Sequence, residues 1–202
     1  MAHSLLCLGD SYTVGELVSL HESFPYQTVQ LLRKAGLSFH TPEIIAKTGW
    51  TTFELAEHLL HTQLEKEYDF VTLLIGVNNQ YRELSIDNFK NDFDFLLMKA
   101  IYLADKKSER VIVLSIPDWG VTPFAAEKNQ HQISKEIKVY NEICESAAKQ
   151  YECHFINITN SQRTDENKGA YLASDKLHPS GKEYSKWAEK VYQVITDLLN
   201  EK

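Results

Sequence analysis

Short apolar runs alternate with amphipathic stretches from one end of the chain to the other. Several of the runs are nearly continuous and rich in β-branched residues, which is typical of parallel strands that are covered on both faces. The runs predict five strands, at Ser4–Leu8, Ser38–Ala46, Phe70–Ile75, Val111–Ile116 and His154–Ile158.

The stretches that follow these runs carry apolar residues at helical spacing. Two helix starts are indicated by capping boxes, one formed by Thr51 with Glu54 and one by Ser180 with Glu183. Five strands alternating with five helices predict an α/β fold, a doubly wound three-layer α/β/α sandwich around a mainly parallel five-stranded sheet. The helix that begins at Thr51 is one of these five, and the apolar faces of the other four, including the helix that begins at Ser180, lie within Phe24–Ala35, Ile86–Ala100, Ile133–Ala148 and Tyr184–Leu198.

Length and composition indicate an ordinary globular protein. The 202 residues suit one domain over residues 1–202, with 43% hydrophobic and 24% charged residues and neither a repeat nor a linker. The formal net charge is −7, and the basic residues are scattered among acidic ones, so nucleic acid is not an expected partner. Of the three cysteines, Cys7 and Cys144 lie at apolar positions and are expected in the core.

Hydropathy gives an expectation for location. No apolar run approaches the roughly 18 residues of a membrane-spanning helix, so stable membrane insertion is not expected. The first predicted strand begins already at Ser4, and the first ten residues lack the basic and long apolar regions of a signal peptide. We therefore expect a cytoplasmic location, while a trimmed leader stays possible. The oligomeric state is open.

Four polar segments follow the predicted strands or precede the last helix. Parallel sheets bind ligands beyond the carboxyl ends of their strands, so these segments are expected to meet at one edge. Together they offer a hydroxyl, backbone N–H groups, a carboxamide, and an imidazole with a carboxylate, which are the groups that acyl transfer requires. The segments are Gly9–Gly15, Lys47–Thr52, Gly76–Arg82 and Ser174–Ser180.

These segments resemble, in order, the four sequence blocks of the SGNH (GDSL-like) hydrolases. The resemblance implies a flavodoxin-like fold and a serine esterase or acyl hydrolase with Ser11 as nucleophile and Asp175 and His178 as its partners. It further implies an oxyanion hole made by the backbone N–H groups of Ser11 and Gly49 and by the side chain of Asn78. Neither a cofactor nor a metal is implied.

Two positions depart from the family pattern. Tyr12 follows the serine where the name motif has leucine, and Asn79 stands where aspartate is commoner. Both departures leave the triad intact, and the second is expected to affect only the electrostatics of its loop.

Each block has a simpler interpretation when it is taken alone. Gly9-Asp10-Ser11 is ordinary turn chemistry, Gly49 suits a strand-to-helix turn, Asn78 suits a turn in which it bonds its own backbone, and His178 suits an exposed loop. The first loop lacks the Gly-Lys-Ser/Thr ending of a phosphate-binding P-loop, and the Gly-x-Ser-x-Gly elbow is absent. The agreement of four blocks at matched positions favours the hydrolase over chance.

Two other histidines, His58 and His61, lie three residues apart on a predicted helix. No third metal ligand is nearby, so a metal site is not expected there.

Aromatic residues in or near these loops are candidates for substrate binding, since small-molecule sites are lined mostly by apolar groups. They are Tyr12, Trp50, Tyr81, Trp119 and Phe124, and the alternative is that some of them cap the core. The stretch 117–129 is expected to shape the pocket, and whether 159–175 forms a lid is open.

The expected partner is a small-molecule ester, with a short-acyl or carbohydrate O-acyl ester favoured over a lipid. Two alternatives stay open. The first is a lysophospholipase or thioesterase of the same family, and the second is a flavodoxin-like ligand-binding module without catalysis.

Overall fold

A computed structural model describes residues 1–65, 67–160 and 168–200. Within them, five strands form one sheet in the order β2-β1-β3-β4-β5, and all neighbouring pairs are parallel. This is the flavodoxin-like strand order, and it confirms the predicted fold class. The strands are β1 (Leu5–Gly9), β2 (Glu43–Ala46), β3 (Phe70–Leu74), β4 (Val111–Leu114) and β5 (His154–Ile156).

The second strand is shorter than predicted. Phe39 forms only an isolated bridge with His3, and the continuous ladder with β1 begins at Glu43. Pro42, which precedes Glu43, has no N–H to donate to a ladder. The predicted start of this strand at Ser38 was therefore wrong.

The fourth and fifth strands each end two residues earlier than predicted, because side chains take over the hydrogen bonds at their carboxyl ends. The N–H of Ile116 donates to the Asn141 side chain at 2.6 Å. The N–H of Ile158 donates to the Ser115 hydroxyl at 2.9 Å. Side-chain hydrogen bonds thus replace the strand ladder at the carboxyl ends of β4 and β5.

Helices cover both faces of this sheet. On one face α2 packs against α7, and on the other α5 contacts both α3 and α6. The short helices α1 and α4 were not predicted. The helices are α1 (Ser11–Val14), α2 (Phe24–Lys34), α3 (Thr52–His61), α4 (Val77–Tyr81), α5 (Ile86–Leu103), α6 (Gln130–Gln150) and α7 (Gly181–Asn200). Single 3-10 turns lie at Leu20–Glu22, Ser108–Arg110, Trp119–Val121, Pro123–Ala125 and Lys168–Tyr171.

The start of α3 confirms one predicted capping box. The Thr51 hydroxyl accepts from the N–H of Glu54, and the Glu54 carboxylate accepts from the N–H of Thr51 at 2.8 Å. Such a cap stabilises a helix by about 1 kcal/mol and fixes where it begins. The second box, at Ser180 and Glu183, stays a prediction.

The ends of β1, β2 and β3 lie level with one another. Gly9 pairs with Ala46 on one side and with Leu74 on the other. All residues of β1 and β3 are buried, so the core holds these strand ends in place. The segments that follow the three strands therefore leave the sheet at one edge and at one height.

Cys7 and Cys144 are fully buried, as predicted, and burial raises the pKa of the Cys7 thiol to about 12. None of the described helices combines the length and the hydropathy needed to cross a membrane. The cytoplasmic location and the single domain stay predictions.

Candidate active site

A serine, a histidine and an aspartate form a hydrogen-bonded chain at this edge of the sheet. His178 Nε2 lies 2.9 Å from Ser11 Oγ, and His178 Nδ1 lies 2.6 Å from Asp175 Oδ2. Because an ionised carboxylate only accepts, it selects the imidazole tautomer that carries its proton on Nδ1. The lone pair of Nε2 then faces the hydroxyl of Ser11.

Helix α1 fixes the position of Ser11. Asp10 caps this helix, and its carboxylate accepts from the N–H of Tyr12 at 3.0 Å. Ser11 is buried, with 5% of its surface exposed. Because Ser11 is the first residue of the helix, its own N–H has no acceptor within α1. Asp10 is fully buried, and burial raises the pKa of its carboxyl to about 7.

A hairpin-like turn before α7 carries the other two members of the chain. The bridge between Leu172 and Pro179 closes this turn. Asp175 Oδ1 accepts from the N–H groups of Leu177 and His178, both at 3.0 Å. Two effects act on the pKa of the Asp175 carboxyl in opposite directions. Partial burial acts to raise it, and the hydrogen bonds from the His178 ring and from these two N–H groups lower it by more. The pKa is lowered, and the carboxylate is ionised at neutral pH.

Gly49 and Asn78 bring two further donors to the same cavity. Gly49 has φ +87°, a conformation that favours glycine, and among the described residues its N–H makes no hydrogen bond. Asn78 Nδ2 donates to the carbonyl of Trp50 at 2.9 Å rather than to its own backbone. An amide nitrogen has two hydrogens, so a second N–H is available.

Two residues that sequence reasoning did not single out as tethers hold these loops together. Asn79 accepts from the N–H of Thr52 at 3.0 Å and donates to the Thr52 hydroxyl at 2.8 Å. Arg82 donates to the carbonyl of Gly49 and pairs with Glu54 at 3.3 Å. The departure at Asn79 thus affects hydrogen bonding as well as electrostatics, because an amide both donates and accepts. The run of polar residues that follows β3 was the only feature of the sequence that could have indicated these two tethers.

A cavity of about 230 Å³ lies next to the Ser11–His178 pair. Trp50 is not among its lining residues: the ring packs on His58 of α3, with centroids 4.7 Å apart, and its carbonyl accepts from Asn78. Substrate binding by Trp50 stays a prediction. Tyr12 and Trp119 line the cavity and also belong to the buried core, and their role in substrate binding stays a prediction. The apolar lining consists of Tyr12, Val77, Tyr81, Trp119, Phe124 and Leu177.

The predicted pocket-shaping stretch 117–129 supplies Trp119 and Phe124 to this lining. It also contacts the turn that carries the triad candidates, since the N–H of Phe124 donates to the carbonyl of Lys176. The stretch 159–175, whose role as a lid the sequence leaves open, falls partly on residues 161–167, which lie outside the described residues. In the described part of the chain, no three His, Cys, Asp or Glu side chains cluster as metal ligands.

Comparison with known proteins agrees with the observed fold. The sequence model of the GDSL-like lipase/acylhydrolase family matches residues 7–186. The fold is similar to a lipase/acylhydrolase from Enterococcus faecalis, with a TM-score of 0.75, 20% identity, and coverage of 96% of this chain and 95% of that one. It is also similar to an acetylxylan esterase from Geobacillus stearothermophilus, with a TM-score of 0.72, 18% identity, and 96% and 94% coverage.

A psychrotrophic esterase from Pseudoalteromonas gives a TM-score of 0.73 at 15% identity, with 98% of this chain and 99% of that chain covered. At such identities these three likenesses establish the fold alone. No curated protein sequence matches the chain.

Proposed function

Because the chain belongs to the GDSL-like lipase/acylhydrolase family and is therefore a hydrolase, we propose that Ser11, His178 and Asp175 are its catalytic triad. The observation that carries this proposal is the continuous chain from Ser11 Oγ through the His178 ring to Asp175, beside an apolar cavity. A serine hydroxyl becomes a strong nucleophile only when a positioned base removes its proton.

The proposed reaction proceeds through an acyl-enzyme. Ser11 Oγ attacks the ester carbonyl while His178 Nε2 takes its proton, and ionised Asp175 stabilises the imidazolium that forms. The C–O bond to the leaving alcohol then breaks, and His178 gives that alcohol the proton. Water repeats the sequence on the acyl-serine and releases the acid.

The negative oxygen that develops in each half-reaction requires hydrogen-bond donors. We assign this role to the N–H groups of Ser11 and Gly49 and to the second amide N–H of Asn78. The assignment is supported by their shared cavity and by the absence of a partner for the Gly49 N–H among the described residues. Arg82 holds the next peptide of the same loop, because it donates to the carbonyl of Gly49.

The proposed substrate is an ester with a short acyl group, from acetyl to butyryl. The cavity beside Ser11 is small and mostly apolar, and Tyr81 and Trp119 close one side of it. The likeness to an acetylxylan esterase agrees with a carbohydrate as the alcohol part.

A fluorophosphonate probe and a panel of acyl esters test the proposed nucleophile. We expect one label per folded chain on Ser11, no label after heating, and none in Ser11→Ala. Ester turnover should fall by about 10⁶ in that variant. Ser146→Ala changes an exposed serine on α6 and should keep both label and turnover. A folded wild-type protein that takes no label would instead favour a ligand-binding module without catalysis.

A further inference from the structure

A second cavity, of about 460 Å³, shares two walls with the first. Tyr81 and Trp119 line both cavities, and their rings meet edge to face with centroids 5.3 Å apart. We call this pair the aromatic partition. The second cavity also has polar lining, which includes Glu83, Lys128 and Gln132.

A hydrogen-bond relay, buried at its Trp119 end, holds the ring of this residue in the partition. Trp119 Nε1 donates to Gln80 Oε1 at 2.7 Å, and Gln80 Nε2 donates to Glu136 Oε2 at 2.8 Å. Trp119 and Gln80 are only 4% and 5% exposed. Because an indole N–H only donates and an ionised carboxylate only accepts, this relay permits one orientation of the Gln80 amide.

The backbone of Trp119 is fixed independently of its ring. Asp118 caps the 3-10 turn by accepting from the N–H of Gly120 at 3.0 Å. The Thr122 hydroxyl donates to the carbonyl of Trp119 at 2.6 Å. Loss of the relay therefore frees the ring while the turn keeps its own hydrogen bonds.

We infer that Gln80 is a positioning residue that limits the acyl chain length by holding Trp119 in the aromatic partition. This inference rests on the proposed function. When the relay is broken, the Trp119 ring no longer separates the acyl cavity from its neighbour, and longer acyl chains gain space. Each methylene that becomes buried raises kcat/KM about fourfold.

The test compares kcat/KM for acetate, butyrate and octanoate esters in Gln80→Leu, which removes both hydrogen bonds of the relay. We expect the octanoate-to-acetate ratio to rise at least about tenfold, since burial of two methylenes already gives that factor. The kcat for acetate should change little. Gln132→Leu is the matched control, because it removes a comparable bond to Glu136, 2.6 Å long, without touching Trp119. Its ratio should equal that of the wild type.

A rescue variant separates positioning from a general structural role. In Gln80→Glu combined with Glu136→Gln, the carboxylate at position 80 accepts from Trp119 Nε1 and from the amide at position 136. Both hydrogen bonds of the relay are thus restored. We expect the double variant to recover the wild-type chain-length profile, whereas Gln80→Glu alone places two carboxylates together and should not. If Gln80→Leu fails to fold, Trp119→Phe removes the same N–H donor and should shift the profile in the same direction.

The outcomes keep this inference distinct from the proposed function. A wild-type protein without fluorophosphonate label on Ser11 would contradict the proposed function itself. A folded Gln80→Leu protein that is labelled on Ser11 but keeps the wild-type profile would overturn the role of Gln80 alone. The role of Gln80 is equally overturned if Gln132→Leu shifts the profile as strongly as Gln80→Leu.

Discussion

Two walls of the candidate site are built in different ways. The polar wall consists of Ser11, His178 and Asp175, and the aromatic wall consists of Tyr81, Trp119 and Phe124. In the polar wall, Asp175 and His178 are three residues apart and share one turn. Ser11 begins α1 just after the buried strand β1, and Asp10, between them, caps this helix. The aromatic wall instead joins α4 to two 3-10 turns.

This difference teaches that chemistry and selectivity have separate structural supports. In the polar wall, local turns orient each side chain, and one bond of 2.9 Å joins Ser11 to His178 across 167 residues. In the aromatic wall, the Trp119 ring itself is oriented by a relay that ends on α6, 56 residues from Gln80. We therefore expect changes in the polar wall to slow all esters by the same factor. Changes in the aromatic wall should alter the order in which esters are preferred.

Asp175→Asn, a substitution in the polar wall, should lower ester turnover more than the two substitutions described after it. The amide no longer selects the tautomer with its proton on Nδ1, so kcat/KM should fall by about 10⁴ for every ester. The measurement is the ratio of octanoate to acetate turnover alongside the absolute rates. A changed ratio with little loss of rate would contradict the separation of the two walls.

The pKa of the Asp175 carboxyl is lowered from its ordinary value of 3.8. The carboxylate therefore stays ionised until the pH falls below 3.8.

Asn78→Ala should give the next largest effect. Loss of one oxyanion donor typically lowers kcat by about 10² to 10³, or about 3–4 kcal/mol, and the factor should be equal for acetate and octanoate. KM should change less than kcat, since the donor acts on charge that develops during the reaction. Asn91→Ala, an exposed asparagine on α5, is the control. Unchanged turnover in a folded Asn78→Ala protein would remove Asn78 from the oxyanion hole.

Asp10→Asn should have the smallest effect on activity and act mainly on stability. Burial raises the pKa of Asp10 from 3.8 to about 7, so the folded chain binds more protons than the unfolded chain between these values. The free energy of unfolding should therefore fall as the pH rises through this window, by at most about 4 kcal/mol. One oxygen of this carboxylate is buried without a hydrogen-bond partner among the described residues, which agrees with the burial penalty.

Urea unfolding at several pH values between about 4 and 8 measures this effect. Asparagine does not ionise, so the substitution should flatten the dependence of unfolding free energy on pH. An equal slope in both proteins would show that Asp10 does not titrate in this range.

The sequence was sufficient for the parts of the site that local geometry determines. Strand ends that lie level in a parallel sheet place Ser11, Gly49 and Asn78 together, and a three-residue spacing places Asp175 beside His178. These relations follow from strand order and turn length. They need no knowledge of distant side chains.

The parts that the sequence did not predict depend on contacts between distant segments. Gln80 bonds Trp119 across 39 residues, and Asn79 bonds Thr52 across 27. The orientation of the Trp50 ring was not predictable for a related reason, because a ring in a loop can pack toward the site or toward a helix. Its contact with His58 decides this, and loop composition does not specify such a contact.

The central claim is that Ser11 carries the acyl group, and the mass of the acylated protein tests it most directly. A reaction with a butyrate ester is stopped in acid during the initial burst of alcohol release, when the acyl-enzyme accumulates. We predict one butyryl group per chain, on the peptide that contains Ser11, and none in Ser11→Ala. A butyryl group on another residue, or an unmodified chain during a clear burst, would contradict this claim.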